Sequence, residues 1–317
     1  MTTVTPAPIQ DVTPSQPAGG PLAGPKRRGE QVVMLVLKLA AFLSVLVTVG
    51  IVVALVRPAV EFFRSVPLGD FLLGTTWSPN FSPTEYGVLP LVGGTMMTTL
   101  VGMLVAVPFG LGAAMYLSEY ASARLRKILK PVLELLAGVP SVVYGFFALQ
   151  FITPVVLRQW LGIEVDFTNA LSAGLVLGVM IIPTIASLSE DAMSAVPQSL
   201  RQGSFAMGAN RMQTTLRVVL PAAISGIAAA VVLGISRAVG ETMIVALAAG
   251  QQANLSLDVR EGMQTMTGFI AATAGGENIV GSVSYNTLFA VGLLLFLITL
   301  VINIVSIRLV RRIREVY

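Results

Sequence analysis

Long apolar blocks, separated by short polar segments, occupy most of the chain. A helix needs about 20 apolar residues to cross a hydrocarbon core of about 30 Å, and the blocks are of that order. Strands of a membrane barrel would instead alternate apolar and polar positions over about 10 residues, so the continuous blocks favour helices. The pattern therefore predicts an all-α integral membrane protein with about six transmembrane helices. Their expected ranges are 30–56, 88–117, 132–157, 167–188, 218–250 and 278–307.

A polar tail precedes the first apolar block. It is rich in Pro, Thr, Gly and Gln and has almost no bulky apolar side chains. Such a segment buries too little surface to offset its ordering entropy, so we expect residues 1–29 to be a disordered cytosolic tail. The uncharged run from Leu39 to Val56 has 18 residues. Because the apolar region of a signal peptide has about 7–15 residues, we expect a retained transmembrane helix here.

Composition removes most enzyme chemistry from consideration. Hydrophobic residues make up 55% of the 317 residues and charged residues 11%, whereas soluble domains have about 25% charged residues. The chain has no Cys and no His, which excludes thiol nucleophiles, imidazole bases and the usual zinc ligands. It also lacks the Gly-rich phosphate loop of ATPases, so ATP hydrolysis by that route needs a separate subunit. We therefore expect no catalytic residues, no metal and no cofactor.

The basic residues fall mainly on one side of the predicted helices. If the N-terminus is cytosolic, fifteen of the 20 Lys and Arg residues lie in cytosolic segments and four in extracytoplasmic ones, while Arg237 lies inside a span. This bias follows the positive-inside rule and predicts that both termini are cytosolic. It also explains the net charge of +4 without a nucleic-acid partner.

The two longer extracytoplasmic segments have more pattern than simple linkers. Residues 57–87 combine several aromatic side chains with an amphipathic helix expected near residues 60–72, and residues 251–277 contain Gly and acidic residues. Ordinary solvated loops would explain both segments, because loops generally lie on protein surfaces. The alternative is a docking face for an extracytoplasmic partner.

The cytosolic segment 189–217 leads into a recognisable motif. Gly208 is followed by nine residues and then by Val-Val-Leu-Pro at 218–221. This spacing resembles the EAA loop of ABC importer permeases, Glu-Ala-Ala-x3-Gly-x9-Ile-x-Leu-Pro, with Gln-Gly-Ser at 202–204 in place of Glu-Ala-Ala. The resemblance implies a coupling helix that contacts an ATP-binding subunit. The residues it assigns to this contact are Gln202, Gly203, Ser204, Met207, Gly208, Ala209 and Pro221.

Three further runs carry a wider resemblance. Residues 87–121, 134–149 and 234–250 are similar to the phosphate-specific ABC permeases, and Ser-Arg-Ala-Val-Gly-Glu-Thr-Met at 236–243 is similar to the PstC-type subunit. The resemblance implies the type I importer permease fold, also called MetI-like, in the bacterial cytoplasmic (inner) membrane. It further implies phosphate as substrate, a PstA-type sister permease, two PstB-type ATP-binding subunits and a PstS-type phosphate-binding protein.

Arg237 and Glu241 are a pair of charges inside the fifth apolar block. Their i, i+4 spacing would place them on one face of a continuous helix as an ion pair. Each charge at a helix centre costs about 2.5–3.5 kcal/mol, which pairing lowers but does not remove. A structural lock would explain the pair. The functional alternative places Arg237, Glu241 and Thr242 on the substrate pathway, because a guanidinium offers forked donors that match phosphate oxygens.

Several functions remain open on the sequence alone. A permease for another oxyanion, such as sulfate, would use the same arginine as a phosphate permease. A secondary ion-coupled transporter would use Arg237 and Glu241 as coupling residues, and a membrane scaffold or sensor would transport nothing. The EAA-like loop favours the ABC permease, since a secondary transporter has no use for a helix driven by an ATPase.

Overall fold

The computed structural model of the chain describes residues 28–276 and 279–313, most of them helical. The chain divides after Ile51: the shorter unit consists, in its described part, of the N-terminal portion of the first helix, and the larger unit begins at Val52. The tail expected over 1–29 lies outside the described residues, except that Arg28 and Gly29 already belong to the first helix.

The helices of the described residues are α1 (Arg28–Ser65), α2 (Leu68–Leu73), α3 (Leu89–Met115), α4 (Ala123–Ala137), α5 (Ser141–Phe147), α6 (Ala170–Ser194), α7 (Gln198–Ala206), α8 (Arg211–Thr214), α9 (Leu220–Ala222), α10 (Ile224–Val239), α11 (Met243–Ala248), α12 (Met266–Ala274) and α13 (Val283–Ile313). Three of them continue as π-helical turns. These are Tyr116–Tyr120 after α3, Ala148–Trp160 after α5 and Thr215–Val219 after α8.

Five helices within the described residues are long and apolar enough to cross a membrane. They are Glu30–Ser65, Leu89–Tyr120, Ser141–Trp160, Ala170–Ser194 and Val283–Arg308. A sixth crossing results if Arg211–Ala222 and Ile224–Val239, which meet at a bend of 72°, form one span. The expected helical membrane fold with about six spans is confirmed. The last helix begins at Val283, whereas the apolar pattern placed its start at residue 278.

The third apolar block is not the single helix that the range 132–157 implied. α4 ends at Ala137 and α5 begins at Ser141. Gly138 caps the end of α4, and Pro140, which has no backbone N–H to donate, stands immediately before α5. The candidate span is therefore α5 with its π-helical continuation rather than the end of α4.

The fifth block, expected as one helix over 218–250, is divided twice. Pro221 lies in the short α9, and the chain bends by 72° where α10 follows. α10 ends at Val239 with Gly240 as its cap, and α11 starts only at Met243. Hydropathy did not reveal this second break, because the long apolar runs on both sides dominate an average taken over a window, even though Glu241 lies in the break.

The segment 57–87, predicted to be extracytoplasmic, contains a helix, a turn and a small hairpin. α1 continues through Ser65, so the amphipathic helix expected near residues 60–72 is divided between the end of α1 and α2. Two short antiparallel strands follow, β1 (Trp77–Ser78) and β2 (Glu85–Tyr86). The segment is therefore folded rather than extended between two spans.

Aromatic packing holds this outer segment against α12. The ring of Phe62, which is fully buried, packs edge-on against Phe71 and Tyr86. Trp77 packs edge-on against Phe269 of α12, with ring centroids 4.9 Å apart. Edge-to-face pairs of this kind contribute about 0.5–1.5 kcal/mol each beyond the burial of their area.

The centre of the larger unit is the close, parallel packing of α3 against α6. A Cβ atom added at Gly174 would stand 2.5 Å from the Val101 Cβ, and one at Gly178 would stand 2.7 Å from the Gly102 carbonyl oxygen. Glycine alone permits helices to approach this closely. α5, α10 and α11 pack around the α3–α6 pair and complete the main hydrophobic core.

Candidate functional site

Arg237 lies in the last turn of α10, half-buried beside α6 and the end of α4. Its Nη1 donates to the Thr184 hydroxyl oxygen at 2.9 Å, and its Nη2 donates to the Ala137 carbonyl oxygen at 3.5 Å. Ala137 is the last residue of α4, so its carbonyl is one that the helix leaves without an internal partner. The guanidinium therefore links three helices through two neutral oxygen atoms.

The prediction of an ion pair between Arg237 and Glu241 is wrong. Because α10 ends at Val239, Glu241 does not continue the helical face that carries Arg237. Its Oε1 instead accepts from the backbone N–H groups of Met243 and Ile244, at 3.0 and 3.3 Å, and so caps the start of α11. A carboxylate is favoured there by the unpaired N–H groups and the positive end of the helix dipole.

Thr242, the third predicted pathway residue, lies in the break between α10 and α11. Its hydroxyl donates to the Gly240 carbonyl oxygen at 3.3 Å. The backbone carbonyl of Glu241 accepts from the Thr267 hydroxyl of α12 at 2.6 Å. The predicted residues thus lie at or next to one break in the span. Arg237 bonds to α6 and to the end of α4, whereas the Glu241 backbone bonds to α12.

The electrostatics of Arg237 are those of a cation without a carboxylate partner. None of the ion pairs found in the described part of the chain includes Arg237 or Glu241. The C-terminal ends of α4 and α10 both meet at this side chain, and a helix C-terminus carries a partial charge of about −0.5. These ends stabilise the guanidinium without neutralising it, which leaves it suited to bind an anion.

The predicted coupling residues lie on one exposed helix and in the turns after it. Residues 202–204 belong to α7, while Met207 and Gly208 form the turn that ends it. Met207 is 89% exposed, and Gly208 has a φ of 83°, in the left-handed region. Ala209 continues the turn, and the exposed Pro221 lies farther along, in α9.

A capped helix start fixes the chain immediately after this turn. Asn210 and Gln213 form a reciprocal capping box at the start of α8, with hydrogen bonds of 2.8 and 3.0 Å. The hydroxyls of Ser204 and Thr214 share a hydrogen bond of 2.9 Å, which ties α7 back to α8. The predicted coupling residues therefore belong mainly to two short helices joined by a turn, and the exposed face of this unit includes Met207.

A buried carboxylate that sequence analysis did not single out lies beside this segment. Glu190 of α6 is fully buried and accepts from Arg126 and Lys130 of α4 and from the Ser194 hydroxyl. Lys130 also reaches the exposed Asp191. In the sequence, Glu190 could have been noticed as an acidic residue just after an apolar block. Its partners stand 64 and 60 residues earlier, so no local spacing connects them.

A second buried ion pair anchors α7 itself. Arg201 of α7 is buried and donates to the Glu119 carboxylate at 3.0 Å and to the Met193 carbonyl oxygen at 2.8 Å. Glu119 lies in the π-helical turn that follows α3. α7 is thus attached to the ends of both α3 and α6 through one arginine.

Away from the coupling residues, the loops that contain residues 158–166 and 258–261 line an open cavity of about 800 Å³ with charged walls. Asp258 and Arg260 form an ion pair there, in which the carboxylate accepts from the guanidinium at 2.6 and 2.8 Å. These hydrogen bonds lower the pKa of the half-buried Asp258 carboxyl to about 2. The pair therefore stays ionised at any physiological pH.

Comparison with known proteins assigns this architecture to a family. Residues 106–315 match the binding-protein-dependent transport system inner membrane component family. The chain belongs to that family and is a multi-pass permease subunit of an ABC importer, in the inner membrane.

Individual relatives agree with this membership over most of the chain. A Bacillus subtilis protein named probable ABC transporter permease protein YqgH is 41% identical over 75% of this chain and 78% of its own length. The phosphate transport system permease protein PstC of Haemophilus influenzae is 32% identical over 84% and 89% of the two chains. PstC 1 of Mycobacterium tuberculosis is 36% identical over 77% and 82%.

Solved structures show the same fold at low sequence identity. A bacterial alginate ABC transporter, in complex with a periplasmic protein, has a TM-score of 0.64 and 19% identity over 92% of this chain and 96% of that chain. The inward-facing MetNI methionine ABC transporter has a TM-score of 0.51 and 23% identity over 72% and 95%. These similarities confirm the expected MetI-like fold.

Proposed function

We propose that the chain is the phosphate-conducting permease subunit of an ATP-driven importer. The observation that carries this proposal is Arg237, a cation in a membrane-crossing segment that no carboxylate of the described residues neutralises. Its forked donors pair with two oxygens of a tetrahedral oxyanion at once. The relatives from Haemophilus influenzae and Mycobacterium tuberculosis, named for phosphate transport, support this substrate.

Glu241 and Thr242 belong to the same pathway in this proposal. Glu241 holds the start of α11 in place, and its charge weakens the attraction of the region for an anion. That opposition favours release, because a transported ion must be bound weakly enough to leave. Thr242 supplies a hydroxyl within the break between α10 and α11.

The proposed partners follow from the family and the exposed coupling segment. They are a PstA-type sister permease, two PstB-type ATP-binding subunits and a PstS-type phosphate-binding protein, which delivers the anion at the extracytoplasmic face. The exposed apolar side chains of Phe205 and Met207 support contact between α7 and an ATP-binding subunit. In this arrangement both termini are cytosolic, and ATP is hydrolysed by the partner rather than by this chain.

The proposal is tested by uptake of labelled phosphate into proteoliposomes that contain the assembled transporter. Two charge-assisted hydrogen bonds contribute about 1.5–3 kcal/mol each, so Arg237→Gln is expected to lower uptake by about 100-fold or more. Arg64→Gln, an exposed arginine at the end of α1, is the matched control and should leave uptake unchanged. The double variant Arg237→Gln/Glu241→Gln should stay inactive, because the two side chains do not form a pair.

The outcomes separate the competing functions. Near-normal uptake by the double variant would contradict the pathway role and support a structural lock. ATP-dependent uptake of sulfate in place of phosphate would correct the substrate and keep the permease. Uptake that proceeds without any ATP-binding subunit would instead identify a secondary transporter.

A further inference from the structure

Thr184 makes an unusual hydrogen bond for a threonine within a helix. A helical threonine hydroxyl ordinarily donates to a carbonyl three or four residues earlier, as Thr95, Thr98 and Thr299 do here. Within the described residues the Thr184 hydroxyl makes no such bond and instead accepts from Arg237 Nη1 at 2.9 Å. The Thr184 side chain of α6 therefore bonds to α10 rather than to the backbone of its own helix.

We infer that Thr184 is the positioning residue that aims the Arg237 guanidinium at the translocated anion. The inference rests on the proposed function, which makes Arg237 the anion-binding group. The Ala137 carbonyl, at 3.5 Å, is a longer and weaker second contact, so the 2.9 Å bond from Thr184 contributes most to the orientation. Without this hydrogen bond the arginine side chain populates several rotamers. Anion binding must then offset the conformational entropy that is lost when one rotamer is fixed.

The chemistry of a hydroxyl suits this task better than that of a carboxylate. A carboxylate at position 184 would orient the guanidinium equally well but would neutralise it, and an anion would then gain little by binding. A hydroxyl accepts one guanidinium hydrogen, leaves the full positive charge and leaves most of the other donors free. Because the oxygen accepts from Arg237, its own hydrogen also remains available to donate.

Both oxygen atoms that hold Arg237 belong to helices that are fastened to each other. Thr184 lies on α6 and Ala137 on α4, and Glu190 of α6 accepts from Arg126 and Lys130 of α4. The separation between the two oxygens is therefore fixed by an ion-pair network that Arg237 itself does not join. The guanidinium is thus oriented by a preformed frame.

The test compares Thr184→Val, which keeps the shape and removes the hydroxyl, with Thr184→Ser, which keeps the hydroxyl. With the phosphate-loaded binding protein in excess, Thr184→Val should lower the uptake rate per assembled transporter by about tenfold. Thr184→Ser should restore the rate to within about twofold. Thr299→Val is the matched control, because that hydroxyl bonds only within its own helix, and its rate should be unchanged.

A thermal double-mutant cycle on the same assembly tests the contact without using transport. The unfolding midpoint should fall less when Thr184→Val is added to Arg237→Gln than when it is added to the natural chain, because the partner is already absent. Additive shifts would overturn the inference, and so would coupling with an unchanged uptake rate in Thr184→Val, which would make the contact structural only. If the natural assembly carries no phosphate, the proposed function fails. The cycle then decides alone whether Thr184 holds Arg237.

Discussion

At Gly208 the conformation of the backbone limits which residues can stand there. Its φ of 83° lies in the left-handed region, and an added Cβ would meet no atom of the described residues beyond its chain neighbours within 4 Å. A side chain at this position is therefore disfavoured by local strain, of about 1–2 kcal/mol for most residues. Asn is the exception because it tolerates this conformation at helix ends.

This strain gives a prediction for the coupling turn. Gly208→Ala should destabilise the turn by about 1 kcal/mol and lower the amount of phosphate carried per ATP hydrolysed, whereas Gly208→Asn should retain most of the coupling. The measurement is uptake and ATP hydrolysis on the same proteoliposomes. Full coupling in Gly208→Ala would contradict the assignment of this turn. Equal loss in both variants would show that the partner subunit, rather than the backbone, excludes a side chain.

At the scale of helices, the apolar pattern predicted which parts of the chain cross the membrane but not where the helices break. The break at 138–140 and the break at 240–242 both fall inside apolar stretches. Hydropathy averages over a window, whereas a break depends on single Gly and Pro residues and on distant groups that satisfy the freed backbone. The i, i+4 pairing of Arg237 and Glu241 was wrong for this reason, although both residues do lie at one break.

The spacing of residues along the sequence likewise could not predict ion pairs between residues far apart in the chain. Arg201 was counted only as a cytosolic charge, yet it is buried against Glu119, 82 residues earlier. The helix end at Gly208 and the new helix start at Asn210, by contrast, were predicted from local residue types and are confirmed, while the coupling role that the resemblance implies stays a prediction. Sequence thus predicted the local unit and missed its attachment.

The attachment of α4 to α6 leads to a stability prediction. Glu190→Gln removes the charge that Arg126 and Lys130 share, and breaking a buried pair costs about 3–5 kcal/mol. Because those partner side chains are 38% and 28% exposed and gain water, we expect a loss of about 2 kcal/mol. Asp191→Asn, at a side chain 58% exposed, is the matched control and should change stability by less than about 0.5 kcal/mol. Thermal unfolding of the purified assembly measures both, and equal shifts would contradict the role of Glu190.

At the scale of the whole molecule, the orientation in the membrane remains a prediction of the positive-inside rule. The chain has no Cys, so a single introduced cysteine reports on its own position. In intact cells, a membrane-impermeant thiol reagent should label Leu257→Cys, where the natural side chain is 89% exposed, and should not label Gln198→Cys at the start of α7. Permeabilised cells supply the control, in which both are labelled. Labelling of Gln198→Cys in intact cells would reverse the orientation.

The glycine seam between α3 and α6 limits how the molecule moves during transport. With Gly174 against Val101 and Gly178 against the Gly102 carbonyl, neither helix slides along the other without steric overlap. We therefore expect the two helices to move as one rigid body, with relative motion at the perimeter of that body. The non-helical joints at residues 138–140 and 240–242 lie on this perimeter. Arg237 lies next to both joints, so we expect opening or closing at either one to alter the number of oxygens around its guanidinium and hence its affinity for an anion.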